Sequence, residues 1–454
     1  MRILIVGAGK VGKTLAEHLT GEEHDVVVID EDEQVIQECE DTLDVLCVPG
    51  NGANAQTLIE AGVDKADILI AATASDEINM LCCLIGKRLK VDYTIARIRD
   101  PQYNESLVLL QQELGIDMTI NPERATAQEI SRVLRFPFAS NVEPFAKGQV
   151  EIVEFRAQQG DMVVDIPLKD LFSKHRHLPR VLYAAVERDG KVTIPGGDFV
   201  IHAGDRVFVA GELDTVTSYF DALGKNKLRV RNVMIIGGGR ISYYLAKFLT
   251  STGIHATIME INPQKAKLLS DELPHVSVLN GDGTNVSLLE QEGLRSMDAL
   301  VCLTDRDEEN VITGLMASHT GVPKVIVKNN RLAYSDLITD LGLDTVVSPK
   351  QITSAAILRY VRARVGGQGT KVEKLYRLVN GKAEALEFIV KSTEKFLNIP
   401  LKRLKLKKQS LVALIVRRNK VIVPFGDDHI ESGDSVVIIT CEKGISDLNE
   451  VILG

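Results

Sequence analysis

The chain has 454 residues, 45% of them apolar and 25% charged, with a formal net charge of −9. That length exceeds one hydrophobic core and calls for three or four compact domains, and the negative balance gives no global field for nucleic acid. Apolar runs such as Ile68-Leu69-Ile70-Ala71-Ala72 fall far short of a bilayer span, and the six cysteines lack the CxxC spacing of a zinc site or disulfide framework. With a first strand that starts at once and no signal-like segment before it, the expectation is a cytoplasmic protein.

The first element is an apolar strand running into a glycine turn, Arg2-Ile3-Leu4-Ile5-Val6-Gly7-Ala8-Gly9-Lys10-Val11-Gly12. Gly7 permits a tight turn, Gly9 lets backbone approach a pyrophosphate, and Gly12 lets helix and strand pack closely. The helix that follows presents its first amides, and the positive end of its dipole, to a phosphate. A second apolar strand ends at Asp30, 21 residues after the middle glycine, where a carboxylate accepts from a ribose diol. Glu31-Asp32-Glu33 follows it rather than arginine, which favours NAD(H) over NADP(H).

Next come the turn Gly50-Asn51-Gly52-Ala53-Asn54, the strand Ile68-Leu69-Ile70-Ala71 and a capped helix start at Asp76-Glu77-Ile78-Asn79. A strand Tyr93-Thr94-Ile95-Ala96-Arg97 and a helix from Asn121-Pro122 to Arg135 complete the first half. Ala139-Ser140-Asn141-Val142-Glu143-Pro144 reads as a hinge into a shorter β-rich segment.

The whole series then repeats, at an offset of 230 for the glycine turn and 231 from Gly50 and Gly281 onward through the strand that follows. Asn232-Val233-Met234-Ile235-Ile236 enters Gly237-Gly238-Gly239-Arg240-Ile241-Ser242, and a strand ends at Glu260. Ser242 replaces the third glycine and Glu260 the aspartate; both remain compatible with a nucleotide. Gly281-Asp282-Gly283, Asp307-Glu308-Glu309-Asn310, the strand Lys324–Lys328, the helix from Ser348-Pro349 to Arg362 and the hinge Val365–Thr370 answer their earlier counterparts. The small segments also match, through Ile166-Pro167-Leu168 with Ile399-Pro400-Leu401 and Gly204-Asp205 with Gly433-Asp434. A single glycine turn is a weak signal, but turn, acid and spacing in duplicate point to two β-α-β nucleotide units.

With these residues in view the chain resembles the RCK family, the regulators of potassium conductance, along essentially its whole length as tandem RCK-N and RCK-C domains. The resemblance implies an α/β fold: two Rossmann-like doubly wound parallel sheets at 1–123 and 230–348, each followed by a small α+β RCK-C domain at 140–225 and 370–454. It implies a cytoplasmic subunit, peripheral on the inner membrane face, that gates a membrane potassium-translocating partner of the Trk or Ktr type (TrkH/TrkG-like) as a homo-oligomeric ring, read as a tetramer. The ligand would be NAD(H), with ATP or ADP as alternative occupants.

Carried over by position, the first site uses Gly7, Ala8, Gly9, Lys10, Val11, Asp30, Asn51, Thr73, Ala74 and Arg97. The second uses Gly237, Gly238, Gly239, Arg240, Ile241, Glu260, Asp282, Thr304, Asp305 and Lys328. Asn51 and Asp282 are expected on the adenosine side, Arg97 and Lys328 where a cation meets phosphate or a surface acid.

A dehydrogenase needs a proton-transfer residue beside the nicotinamide. Here each nucleotide unit is followed only by a small β-rich module; His175-Arg176-His177 is the one close histidine pair, and no GxxxxGK[ST] loop occurs. The chain therefore reads as a ligand-driven switch and not an enzyme, with a free-standing NAD-dependent oxidoreductase or redox sensor as the alternative. Two features stay open. Lys402-Arg403-Leu404-Lys405-Leu406-Lys407-Lys408 is a solvated face or a contact for anionic lipid or an acidic partner. The proline-started helices carry apolar stripes (Ile130, Val133, Leu134; Ile352, Ala356, Ile357, Val361) that suit core packing or exchange between subunits or halves.

Overall fold

The computed structural model describes residues 1–103, 107–136, 138–225, 230–330, 337–338, 341–343, 345–362, 364, 370 and 372–452. Six strands open the chain: β1 (Arg2–Val6), β2 (Asp25–Asp30), β3 (Leu46–Pro49), β4 (Ile68–Ala71), β5 (Tyr93–Arg97) and β6 (Met118–Ile120). They form a parallel sheet in the order β3-β2-β1-β4-β5-β6. The crossovers are α1 (Lys10–Thr20), α2 (Glu33–Thr42), α3 (Ala55–Glu60), α4 (Asp76–Arg88) and α5 (Leu107–Leu114), and α6 (Pro122–Arg135) leads out. Ile3, Leu4 and Ile5 are all fully buried, as expected for strands covered on both faces, which read as unbroken apolar runs. Ser75 caps α4, its hydroxyl accepting from the Ile78 amide.

The segment read as the first hinge is in part a strand, β7 (Asn141–Phe145), paired antiparallel with β8 (Val150–Arg156). With β9 (Leu182–Arg188), β10 (Lys191–Thr193) and β11 (Arg206–Glu212) it makes a five-stranded sheet, β10-β9-β11-β8-β7. β7 lies at the edge, where Pro144 costs no ladder bond inside the sheet. Helices α7 (Leu168–Lys174) and α8 (Leu213–Ala222) belong to this domain. The second hinge lies outside the described residues over 365–369.

The second parallel sheet, β14-β13-β12-β15-β16-β17, uses β12 (Asn232–Ile236), β13 (His255–Glu260), β14 (Ser277–Asn280), β15 (Ala299–Cys302), β16 (Lys324–Lys328) and β17 (Thr345–Val347). Its helices are α9 (Arg240–Ser251), α10 (Pro263–Glu272), α11 (Val286–Gln291) and α12 (Asp307–Thr320), and α13 (Pro349–Arg362) follows. A second antiparallel sheet, β18 (Val372–Leu378), β19 (Ala383–Ile389), β22 (Ser435–Thr440), β20 (Ser410–Arg417) and β21 (Lys420–Ile422) in that spatial order, closes the chain. The two small sheets share one core, in which Phe145, Ile152 and Phe208 meet Leu378, Leu414 and Ile439. The Ala146 amide donates to Glu387 across it at 2.9 Å.

Two bodies result, Met1–Ala125 with Pro349–Val365 and Thr126–Ser348 with Gly366–Gly454. Each contains a helix from the opposite half of the sequence. Ala127, Ile130, Val133 and Leu134 of α6 are buried in the core of the second parallel sheet, with Val233, Ile235, Ile258 and Ile326. In return α13 packs on α1 of the first. The exchange is thus between halves of one chain. Of the stripe expected on α13, Ile357 and Val361 are buried, but Ile352 and Ala356 are only partly covered. Thr353, Ser354, Leu358 and Arg362 take the inner face instead. Ser354 bonds His18, and Arg362 grips Glu22 at 2.6 and 2.9 Å. Polar residues matched to polar partners thus share this contact with Ile357, Leu358 and Val361, and apolar periodicity does not register them.

Candidate functional site

Each parallel sheet reverses its winding between its first and fourth strands, β1/β4 and β12/β15, which opens a crevice beyond their carboxyl ends. The glycine turns lie there. Gly7 (φ +99°) and Gly237 (φ +94°) occupy the left-handed region. A Cβ on Gly7 would fall 2.8 Å from the Thr73 amide nitrogen, and one on Gly12 only 1.8 Å from the Gly7 carbonyl oxygen. Neither position accepts a side chain. Gly9 and Gly239 differ, because a Cβ on either would meet nothing within 4 Å. They are the N-caps of α1 and α9 and supply no capping side chain. The first-turn amides are therefore left for water or an anion. Lys10 and Arg240 open the two helices and are exposed, with Val11 half-buried and Ile241 buried behind them.

At the third glycine position of the second turn, buried Ser242 turns its hydroxyl onto the Gly237 carbonyl. The second turn thus holds a side chain at the position where the first copy admits none. The strand-end acids fold back onto the turns. Asp30 accepts from the amides of Ala8 (2.6 Å) and Asp32 (3.0 Å). Glu260 accepts from Gly238 (2.7 Å) and Asn262 (2.8 Å), its extra methylene reaching the same turn residue. Glu260 is buried and has Lys265 3.6 Å away, whereas Asp30 is half-exposed.

The opposite wall is built by two asparagines that the sequence reading treated only as helix-start residues. Asn79 accepts from the Thr73 amide (2.8 Å) and hydroxyl (2.7 Å) and donates to the Arg97 carbonyl (2.8 Å). Asn310 does the same for Thr304 (2.9 and 2.8 Å) and Lys328 (3.1 Å). Both are essentially fully buried. The signal for them was present: each stands six residues after its threonine in both copies. The Ala74 carbonyl accepts from the Arg99 guanidinium. Arg97 lies 3.6 Å from Glu123 and is largely covered; Lys328 is buried and 3.2 Å from Asp305, whose carboxylate is fully exposed.

Asn51 and Asp282 close their own turns, accepting from Ala53 (2.8 Å) and from the Thr284 amide and hydroxyl (2.9 and 2.8 Å). The Thr284 bonds hold the Asp282 carboxyl below its ordinary range. Gly52 and Gly283 in those turns press against Val6 and Ile236, where a Cβ would come within 2.2 and 2.3 Å. What this geometry can do chemically is hold a phosphate on bare helix amides and a diol on a carboxylate. No helix among the described residues is long and apolar enough to cross a membrane.

The TrkA-N domain family matches residues 3–122 and 233–349, and the TrkA-C domain family residues 152–224 and 385–453. Among similar proteins, the Trk system potassium uptake protein TrkA homolog 1 of Methanosarcina mazei is 32% identical, with 99% of each chain covered. The Trk system potassium uptake protein TrkA of Halomonas elongata is 34% identical over 98% of this chain and 96% of its own. Among solved structures, the GsuK channel bound to NAD aligns with a TM-score of 0.64 at 18% identity, over 98% of this chain and 77% of that one. A GsuK structure bound to ADP aligns at 0.52 and 17%, over 79% and 69%. At that identity the structural likeness establishes the fold, two parallel-sheet TrkA-N regions each followed by an antiparallel TrkA-C domain. Matched by both domain families in tandem and by full-length relatives, the chain belongs to the TrkA family.

Proposed function

We propose that this chain is the nucleotide-binding regulatory subunit of a membrane potassium-uptake system, acting as a switch and not as a catalyst. The observation that carries the reading is the duplicated, uncapped helix start at Gly9 and Gly239, open at the carboxyl end of its sheet with an acid 21 residues on. The names of the full-length relatives support the potassium-uptake setting. The ligand is NAD(H), ATP or ADP, its phosphates on the α1 and α9 amides and its ribose on Asp30 or Glu260. Both acids accept two backbone amides, but Asp30 is half-exposed and open to a diol, whereas Glu260 is buried and faces Lys265. The first site is accordingly the tighter for NAD(H).

A ligand moves a two-state equilibrium only by its differential affinity for the two states, and each tenfold preference supplies ~1.4 kcal/mol per site. Sites repeated in a homo-oligomeric ring add their preferences, so small chemical differences between nucleotides suffice to reshape it. The partner is the potassium-translocating membrane protein, with this chain on its cytoplasmic face. Titrating the purified chain with each nucleotide by calorimetry, then measuring potassium flux after reconstitution with the membrane partner, tests the reading. No heat from any adenine nucleotide, or flux indifferent to saturating nucleotide, defeats it.

A further inference from the structure

The final domain carries a surface that the nucleotide sites do not use. From Leu404, which is extended (φ −81°, ψ 139°), the chain runs as a strip pinned on both sides. The Lys402 amide donates to the Gly426 carbonyl (2.8 Å), Leu406 bridges to Ile452, and the Lys407 amide donates to the Val451 carbonyl (3.0 Å). An extended backbone alternates its side chains. Leu404 and Leu406 are accordingly half-covered, while Arg403 and Lys405 are exposed, Lys407 is half-exposed and Lys408 is exposed. Lys405 and Lys407, on one side of this extended stretch, stand about 6.6 Å apart, with Arg403 before them at the end of a short 3-10 turn and Lys408 after them in a turn. Lys402 pairs with Asp427, but no ion pair among the described residues involves Arg403, Lys405, Lys407 or Lys408. On a chain of net charge −9 this is an uncompensated cationic row.

At the head of this run, in the turn that backs onto Lys402, stands Phe425, 65% exposed. Its amide is fixed by Asp428 at 2.7 Å, and the adjoining Gly426 backs directly onto the Lys402 side chain. The first small domain makes the same two backbone bonds, Leu168 to Phe199 and Lys169 to Gly197 as Leu401 is to Asp428 and Lys402 to Gly426, although its chain then continues as α7 where the last domain turns extended. Yet it has Asp170 where the last domain has Arg403, and Gly196 where it has Phe425. The fold alone therefore requires neither the cations nor the exposed ring.

We infer that this edge of the last domain docks on an anionic phospholipid surface, with the Arg403–Lys408 row over the headgroups and Phe425 entering the interface. An exposed ring in the turn that packs on the head of a cationic run is a combination that gains from a bilayer boundary, through apolar burial and attraction to acidic lipid together. The inference rests on the proposed function only in that the latter brings the chain to a membrane.

Sedimentation of the full chain with phosphatidylcholine vesicles, with and without about a third phosphatidylglycerol, tests it. The chain binds the anionic vesicles and not the neutral ones, and raised salt releases it. Lys405→Glu with Lys407→Glu raises the lipid needed for half-binding by at least about tenfold, since each basic residue near the surface counts for roughly a factor of five. Phe425→Ser weakens binding at unchanged salt dependence. Lys405→Gln with Lys407→Gln, which removes charge without adding repulsion, gives a smaller loss at an unchanged melting temperature. Equal binding to neutral vesicles, no binding to anionic ones, or a double Glu variant that binds like the parent overturns the inference; so does preference for an acidic protein or nucleic acid over the vesicles. Nucleotide calorimetry on the same samples separates the two claims, because lipid binding without nucleotide binding defeats only the proposed function.

Discussion

Ile130 belongs by sequence to the first half of the chain but is fully buried in the core of the second parallel sheet. Ile130→Ala removes three carbons from that core, about 2.4 kcal/mol at ~0.8 kcal/mol per buried CH₂. The void left behind adds ~1–1.5 kcal/mol at ~24 cal/mol per Å³ if the helix does not collapse into it. The expected loss is therefore about 3–4 kcal/mol, within the usual range for such truncations. Because the damage falls on the body that contains β12–β17, it is read by hydrogen exchange followed peptide by peptide. Amides of Asn232–Ile236 and Ala299–Cys302 should lose protection, while those of Arg2–Val6 and Ile68–Ala71 keep theirs. If the loss of protection instead centres on the first sheet, or the destabilisation is under about 1 kcal/mol, the crossed placement of α6 is wrong.

Three other outcomes follow from the sites. Gly9→Ala adds a methyl to empty space at an ordinary φ of −62°, so the chain should melt as before yet lose nucleotide heat at its first site, whereas Gly12→Ala drives a methyl into the Gly7 carbonyl and lowers the melting temperature as well. Asn79→Ala strands the Thr73 amide and removes the bond to the Arg97 carbonyl, and should cost about 2–3 kcal/mol in denaturant unfolding; a change within error would show that the clamp is not holding the strand ends. Burial, then the like charge of Glu143 on β7, pushes the Glu129 carboxyl of α6 up to about 7, against the opposing pull of Arg132 and of Lys374 on β18. A raised acid is more stable protonated, so its contribution is full below pH 4.5 and lost as pH rises through about 7. Glu129→Gln should flatten that decline in melting temperature, and an unchanged profile would remove Glu129 as its source.

The glycine turns, the acids that follow them and the parallel strands were legible because each is dictated locally. A φ near +95° selects glycine, and a strand buried on both faces needs an unbroken apolar run. The duplication made these weak local signals decisive. The Asn79 and Asn310 clamps were printed in the same repeat but not read, since an amide that satisfies two strand ends looks in sequence like any residue of a helix's first turn. Pro144 suggested a linker because nothing local tells an edge strand from a hinge; the edge position, known only from the assembled sheet, is what tolerates it.

The sequence alone thus determined two nucleotide-type folds, two small β-rich domains and their order. Only the tertiary structure decided which sheet each proline-started helix covers. An amphipathic stripe states that a helix has a buried face but not what buries it. On α13 that face is partly Ser354 and Arg362, legible only once His18 and Glu22 are seen opposite them.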